Sequence, residues 1–218
     1  MLTLYAVPAS LYCAKTRLCL RAKALEWREV LPVGGYGSAE YAAQVPAGNL
    51  PALEHEGLLL SDSEAINEYL EERFPRPAML PAGVQDRARV RSCSRFHDTR
   101  LEPAARTLFD QVDPNGRDLE RVALSRDTIL LRLNQFGQLP RHGPLMHGHV
   151  LTLADCGFPI TLTVLKTLDK VMALNLIWPG PVSDYFAAVQ DNASVAAELK
   201  IYRPAIQAWA QDAAGVEG

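Results

Sequence analysis

The first 31 residues contain a short strand, a helix and a second strand in direct succession, and this order limits the possible folds more than any other feature of the sequence. Leu2 to Val7 alternates apolar and polar residues before a turn at Pro8, and Glu26 to Leu31 alternates again. Leu11 to Leu25 has apolar residues at helical spacing and contains no glycine or proline. Such a unit forms a parallel strand pair with a right-handed crossover.

The predicted first helix separates apolar residues from cations. Cys19 belongs to the apolar face and is expected in the core. We expect the cations to take the other face: Lys15, Arg17, Arg21 and Lys23.

The stretch from Gly48 to Leu70 has the pattern of a hairpin followed by a capped helix. Pro51 begins an apolar run, and because proline has no N–H it can stand only at the first residue or on an edge of a sheet. A cis bond before Pro51 would leave the backbone N–H and C=O of Leu50 free for another partner. Asp62 and Ser63 then open a helix as its capping residues. Taken alone, the stretch is as typical of a plain structural unit as of a ligand site.

Together these elements predict two domains of different class. With a short helix at Ala39 to Gln44, residues 1–75 have the order βαβαββα, which is the thioredoxin arrangement. Three prolines between Phe74 and Pro81 indicate a linker, which we place at residues 76–84. Residues 85–218 are predicted to be all-helical, so the fold class is an α/β domain followed by an all-α domain. The predicted helices of the second domain cover Gln85 to Phe109, Arg117 to Phe136, Phe158 to Leu168 after a capping box at Thr152 and Asp155, Val182 to Gln190, and Ser194 to Ala210.

Charge and composition exclude several classes of function. The 218 residues have a net charge of −3, so no basic field favours nucleic acid. Since no apolar run reaches the roughly 20 residues of a membrane span, we expect no membrane partner and a cytoplasmic location. The four cysteines have neither zinc-site spacing nor disulfide density, and His142 and His147 have no neighbours of the kind that ligate metals. No metal is therefore expected.

Ser10 is placed where the first strand ends and the first helix begins. The N–H groups and dipole of a helix N-terminus favour an anion there by roughly 0.3–1 kcal/mol. A thiolate is such an anion. Serine is also a preferred helix cap at any site, so the position alone leaves both interpretations open.

Three motifs in order resemble those of the cytosolic glutathione transferases, a resemblance that covers nearly the whole chain. Ser10 to Arg17 looks like their active-site turn, Gly48 to Leu53 like their cis-proline segment, and Leu60 to Ile66 like their acidic-Ser pair. The resemblance implies glutathione as co-substrate, a homodimer and a part in detoxification. It implies that the Leu50 backbone pairs with the cysteinyl amide and that Asp62 and Ser63 bind the γ-glutamyl end. It also adds four residues to the glutathione site, Leu11, Tyr12, Asn49 and Pro51, although Asn49 stands where the family often has Gln or Lys.

Within this resemblance, Ser10 would stabilise the glutathione thiolate and would not itself be the nucleophile. A free thiol has a pKa of about 8.5, and each unit by which the pKa is lowered needs about 1.4 kcal/mol of preference for the anion. Cys13 offers an alternative, because Ser10 to Cys13 is similar to the CPYC turn of glutaredoxins with the first cysteine replaced. We expect Cys13 to be a partly buried helix residue.

The electrophile is expected between the glutathione site and the first long helix of the second domain. Of the candidates, Arg100 would suit an anionic substrate, unless it lies on a solvated face or at a dimer interface. The candidate pocket residues are Tyr12, Tyr36, Phe96, His97, Arg100 and Phe109.

Three functions stay open on the sequence. The first is a glutathione transferase that conjugates, dehalogenates or isomerises a small electrophile. The second is a non-catalytic binding or regulatory protein on the same scaffold, and the third is a glutathione-dependent thiol transferase that uses Cys13.

Overall fold

A computed structural model describes residues 1–215 and gives the N-terminal domain a four-stranded mixed sheet. The strands are β1 (Leu2–Tyr5), β2 (Trp27–Val30), β3 (Ala52–His55) and β4 (Leu58–Ser61), in the spatial order β2-β1-β3-β4. β1 and β2 run parallel, with Leu2 opposite Trp27, whereas β3 is antiparallel to both β1 and β4. The βαβαββα order and the thioredoxin-like fold are confirmed.

Three helices complete this domain: α1 (Leu11–Ala22), α2 (Ala39–Gln44) and α3 (Ser63–Arg73). Each begins at a residue whose side chain accepts a backbone hydrogen bond from the first turn, namely Ser10, Ser38 and Asp62. The caps fix where the helices begin, and therefore hold Ser10 and Asp62 at the N-termini of α1 and α3.

The cations of α1 contradict the predicted division into a buried and a charged face. Lys15, Arg17 and Lys23 are all buried. Lys15 pairs with Glu64 and Asp98, Arg17 with Glu198, and Lys23 with Glu71. Both sides of α1 are covered, because α3 contributes Glu64 and Glu71 and the second domain contributes Asp98 and Glu198. Removing one partner of such a pair is expected to cost about 3–5 kcal/mol.

The second half of the chain is helical, as predicted. Its long first helix is divided, with α4 at Val84–Phe96, a π-helical turn at His97–Leu101 and α5 at Glu102–Arg106. Pro103 accounts for the division, since it has no N–H to continue the α-helical pattern, and the Glu102 N–H instead bonds to the His97 carbonyl. The remaining helices are α6 (Leu119–Gly137), α7 (Phe158–Met172), α8 (Gly180–Gln190) and α9 (Ala193–Ala213).

α7 lies at the centre of this domain, with nearly every residue from Phe158 to Leu168 buried. The predicted capping box before it is present, with the side chains of Thr152 and Asp155 satisfying each other's backbone N–H groups. The buried Asp155 also accepts hydrogen bonds from the Met146 N–H and the Tyr185 hydroxyl. These bonds compensate the burial of a carboxylate and fix the loop against α8.

The helices of residues 1–215 include none that is long and apolar enough to cross a membrane. The same described part of the chain contains no cluster of three or more His, Cys, Asp or Glu side chains arranged to hold a metal ion.

Candidate active site

Ser10 follows β1 in extended conformation and caps α1. Its φ and ψ are −69° and 121°, and its Oγ accepts a hydrogen bond from the Cys13 N–H at 3.3 Å. The side chain is only half-buried, because it forms part of the wall of a cavity of about 460 Å³. The structure therefore gives Ser10 its capping role and also access to a cavity.

The cavity at Ser10 lies between the two domains and is largely apolar. The N-terminal domain contributes Ser10, Leu11 and the loop residue Tyr36. The helical domain contributes aromatic and aliphatic side chains and one cation, which are Phe109, Ile206, Trp209 and Arg106. A cavity of this size and lining suits a small, partly apolar molecule.

A smaller, polar cavity of about 210 Å³ adjoins it. Tyr12, Asn49 and Leu50 belong to the walls of both cavities. The smaller cavity also has four residues of its own, which are charged or polar: Asp62, Ser63, Arg95 and Asp98. The two spaces thus meet at a shared wall, with Ser10 on the side of the larger one.

Leu50 precedes a cis peptide bond to Pro51, as predicted. Within residues 1–215 its N–H and C=O make no hydrogen bond, whereas the next carbonyl upstream, that of Asn49, accepts one from the Tyr41 hydroxyl at 2.9 Å. The Oδ1 atom of Asn49 is buried and has no hydrogen-bond partner among the described residues. Among the described residues, the wall shared by the two cavities therefore includes a residue whose backbone N–H and C=O are unpaired.

Asp62 has a φ of 83°, in a region that residues with a Cβ seldom occupy. Its Oδ1 accepts hydrogen bonds from the N–H groups of Glu64 and Ala65 at 2.9 and 3.0 Å. In the described part of the chain, neither Oδ2 of Asp62 nor the Ser63 hydroxyl has a hydrogen-bond partner. The N-terminus of α3 thus turns a carboxylate oxygen and a hydroxyl towards the smaller cavity.

Asp98 is the second carboxylate of the smaller cavity. Its burial opposes ionisation, but the hydrogen bond from His97 and the charge of Lys15 outweigh that effect and lower its pKa to about 2. Asp98 is therefore ionised at neutral pH. Arg95, whose Nη1 lies 3.3 Å from Asp98 Oδ2, contributes a positive charge on the exposed side.

Tyr12 connects the two domains at the shared wall. Its hydroxyl donates to Glu102 at 2.8 Å, and the Arg106 guanidinium lies 5.5 Å from the centre of its ring. Burial and the nearby Glu102 carboxylate raise the pKa of Tyr12 well above its ordinary value. The phenol is therefore neutral at physiological pH and already donates its proton to Glu102.

The structure brings together some of the predicted pocket residues but not all of them. Tyr36 and Phe109 lie with Tyr12 around the larger cavity, whereas Phe96, His97 and Arg100 do not line it. His97 is buried, with its Nε2 2.7 Å from the Thr161 hydroxyl. Phe96 packs on the core, and Arg100 is exposed and, within residues 1–215, donates only to the Thr99 carbonyl.

The π-helical turn at His97–Leu101 explains the correction for Arg100. One extra residue in a turn rotates every later side chain by about 100° relative to a continuous α-helix. Arg106, and not Arg100, consequently faces the cavity. Four further lining residues were not predicted from the sequence: Arg95, Asp98, Ile206 and Trp209. Nothing local marks the two residues of α9.

Cys13 is completely buried and not partly buried as expected. Burial raises the pKa of its thiol, outweighing the hydrogen bond from Ser10 that acts in the opposite direction. A buried, protonated thiol is a poor nucleophile, so the geometry disfavours Cys13 as a reactive group.

Comparison of the sequence with known proteins identifies the family of the chain. Residues 4–78 match the family model described as glutathione S-transferase, N-terminal domain. The chain is 30% identical over 177 residues to a glutathione S-transferase of Pseudomonas putida, covering 78% of this chain and 77% of the relative. It is 31% identical to a stringent starvation protein A homolog of Pasteurella multocida, over 72% of this chain and 71% of the relative. It is also 37% identical over 127 residues to a maleylacetoacetate isomerase of Pseudomonas aeruginosa, covering 59% of that protein.

Solved structures agree with these relatives. A glutathione S-transferase from Rhodospirillum rubrum superposes with a TM-score of 0.73 at 26% identity, covering 91% of this chain and 92% of that one. A bacterial zeta-class maleyl pyruvate isomerase superposes with a TM-score of 0.72 at 23% identity, covering 93% of this chain and 98% of that one, and so supports the fold. By the extent of these matches, the chain belongs to the glutathione S-transferase family.

Proposed function

We propose that this protein is a glutathione transferase that holds the glutathione thiolate at Ser10 for attack on a small electrophile. The observation that supports it most directly is the meeting of two unlike cavities at one wall formed by Tyr12, Asn49 and Leu50. A polar space next to an apolar one suits a reaction between a charged peptide and a less polar molecule. Ser10 lies on the apolar side of that wall, where the two reactants would meet.

The smaller cavity and its edge fit glutathione at three places. The free N–H and C=O of Leu50, set by the bond to Pro51, would pair with the cysteinyl amide as an added strand does. Asp62, Ser63 and the N-terminus of α3 would bind the ammonium and carboxylate of the γ-glutamyl end. Asn49 lies on the shared wall, and we assign it with Leu11 and Tyr12 to the remaining contacts.

In this proposal Ser10 acts by stabilising an anion. The thiol gives its proton to solvent, the Ser10 hydroxyl donates a hydrogen bond to the sulfur, and the N-terminus of α1 adds its dipole. Lowering the thiol pKa from about 8.5 by one unit needs about 1.4 kcal/mol, which one charge-assisted hydrogen bond can supply. The sulfur electron pair then forms the bond to the electrophilic carbon, which either expels its leaving group or, in an isomerisation, later releases glutathione.

The larger cavity favours an electrophile with an anionic group and an apolar body. Arg106 is the cation available to the anionic group because it lines the cavity, where its ion pair with Glu102 and the Tyr12 and Phe109 rings, 5.5 and 5.2 Å from the guanidinium, hold it in place. Tyr36 and Trp209 would contact the apolar body. The three reaction types of conjugation, dehalogenation and isomerisation are all compatible with this lining.

The decisive experiment compares two serine-to-alanine variants. Ser10 and Ser38 cap α1 and α2 through equivalent hydrogen bonds, to the Cys13 N–H at 3.3 Å and the Tyr41 N–H at 3.0 Å. Both variants lose a cap worth about 1 kcal/mol, but only Ser10→Ala is expected to raise the pKa of bound glutathione, measured by thiolate absorbance against pH. An unchanged thiol pKa in Ser10→Ala, matching that in Ser38→Ala, would refute the mechanism.

A non-catalytic role is the second candidate, since the chain also matches a relative whose name, stringent starvation protein A homolog, states no enzymatic reaction. Measuring glutathione-dependent turnover of a panel of halides, epoxides, quinones and cis-enoic acids distinguishes the enzyme from the non-catalytic protein. Turnover that Ser10→Ala reduces supports the enzyme, whereas tight glutathione binding without turnover of any compound supports the second candidate.

Family membership also supports four further proposals. We expect a homodimer, cytoplasmic location and glutathione as the co-substrate without a metal, in reactions that detoxify electrophiles. Size-exclusion chromatography with light scattering tests the dimer, and turnover in the presence of a chelator tests the metal.

A further inference from the structure

A groove of about 430 Å³ lies between α7, α8 and α9. Its volume is within the roughly 300–1,000 Å³ that is typical of small-molecule sites. It shares no lining residue with either cavity of the candidate active site. The function proposed above therefore gives no reason for it.

Among the described residues 1–215, the lining of this groove contains three cations and no carboxylate. Lys166 and Lys170 stand one turn apart on α7, and Arg203 comes from α9. Within residues 1–215 none of these three side chains forms an ion pair. Like charges on the walls of a concave site add their potentials, so the groove attracts anions although the whole chain has a net charge of −3.

Acidic residues occur next to the lining residues in the sequence but not in the groove. Asp169 lies between the two lysines along α7 but is not part of the lining, and its Oδ1 accepts the Leu176 N–H at 3.2 Å. Asp191 and Asp212 follow lining residues of α8 and α9 without belonging to the lining themselves. In the described part of the chain, no carboxylate in the walls of the groove therefore cancels its positive potential.

Two of the cations are already positioned by neighbouring side chains. The Lys166 Nζ lies 4.9 Å from the centre of the Phe186 ring and 5.2 Å from that of Trp178. The Arg203 guanidinium donates to the amide oxygen of Gln190, whose own Nε2 donates to the Phe186 carbonyl at 2.5 Å. Side chains that are fixed before binding lose less entropy when a ligand arrives.

We propose that this groove binds a small organic anion that carries at least two negative groups. Arg203 contacts one group through the forked N–H donors that fit carboxylates and phosphates, and Lys166 and Lys170 contact another. Val171 and Phe186, which also line the groove, contact the carbon skeleton between them.

Residues of α9 line both the groove and the larger active-site cavity. Arg203 and Gln207 of α9 line the groove, whereas Ile206 and Trp209 line the cavity at Ser10. An anion in the groove therefore contacts the helix that closes the electrophile cavity. The binding itself does not depend on the proposed transferase activity.

Isothermal titration calorimetry of the full chain with two probes, citrate and inorganic pyrophosphate, tests the site. The double variant Lys170→Gln/Arg203→Gln removes two groove cations. The matched control Lys200→Gln/Arg76→Gln removes one lysine and one arginine that are exposed elsewhere. We expect saturable, salt-sensitive binding that weakens about tenfold or more in the groove variant, because two charge-assisted contacts are lost, and changes less than about twofold in the control.

The location is tested independently with the protein labelled at threonine methyl groups. Thr163 and Thr167 line the groove, so their NMR signals should shift as the probe is added. Arg106→Gln, which removes the cation of the other cavity, should leave the affinity unchanged. Equal weakening in both double variants, loss of binding in Arg106→Gln, or no saturable binding of either probe would overturn the proposal. Binding of pyrophosphate alone would identify phosphates as the ligand class, and binding of citrate alone would identify carboxylates.

Discussion

The ammonium group of Lys15 lies 2.8 Å from both carboxylate oxygens of Asp98 and 2.7 Å from Oε2 of Glu64. Lys15 belongs to α1, one turn after the Ser10 cap, and Asp98 to the π-helical turn of the second domain. The pair therefore joins the two domains directly behind the smaller cavity, which Asp98 lines. A side chain that positions α1 against the second domain also positions Ser10 against the cavity.

Replacing Lys15 by methionine is expected to destabilise the fold by about 3–5 kcal/mol, because Glu64 and Asp98 would remain buried without their cation. Urea unfolding measures the change. The exposed pair Arg121–Asp110, at 3.0 Å, is the control, and Arg121→Gln should cost less than about 1 kcal/mol. Equal losses in the two variants would show that the Lys15 pairs contribute no more than a surface pair.

Acid should weaken the fold partly through Asp98. Its folded pKa of about 2 is below the ordinary value of 3.8, so the stability that it contributes is fully present above about pH 4 and is lost as the pH falls towards 2. The contribution is about 2 kcal/mol. Unfolding free energy measured against pH should therefore fall less steeply below pH 4 in Asp98→Asn than in the wild type. The control Asp86→Asn, at an exposed carboxylate, should keep the wild-type slope.

Much of the N-terminal domain could be predicted because its signals are local. Strand alternation, the capping side chains of Ser10 and Asp62, and the missing N–H of Pro51 each act within a few residues. These same residues form one wall of the candidate site. The chemistry of that wall was therefore accessible from the sequence.

The opposite wall could not be predicted because it depends on contacts between distant elements. Arg106 reaches the cavity only because the π-helical turn shifts its face, and Trp209 reaches it because α9 packs on α1, nearly 200 residues earlier in the chain. The burial of Lys15 has the same origin, since Asp98 is 83 residues away. Helical periodicity assigns a charged side chain to the surface unless a partner from another domain is known.

Tyr12 is expected to have a structural role and not to activate the thiol, although it lines both cavities. Its hydroxyl already donates to Glu102 at 2.8 Å, so Tyr12→Phe should lower the free energy of unfolding by about 1 kcal/mol through that lost bond. The pKa of bound glutathione should stay within the range of the wild type. A rise in that pKa equal to the rise in Ser10→Ala would show instead that the phenol stabilises the thiolate.

Arg106→Gln is expected to raise KM for anionic electrophiles by about tenfold, since a charged hydrogen bond to the substrate contributes roughly 1.5 kcal/mol. KM for neutral electrophiles should stay nearly constant, because a neutral substrate offers Arg106 no negative group. Arg100→Gln is the matched control, as Arg100 lies six residues earlier but outside the cavity lining. Steady-state kinetics with paired acid and amide substrates measures the difference. A larger effect on KM from Arg100→Gln than from Arg106→Gln would show that Arg100, and not Arg106, binds the anionic group.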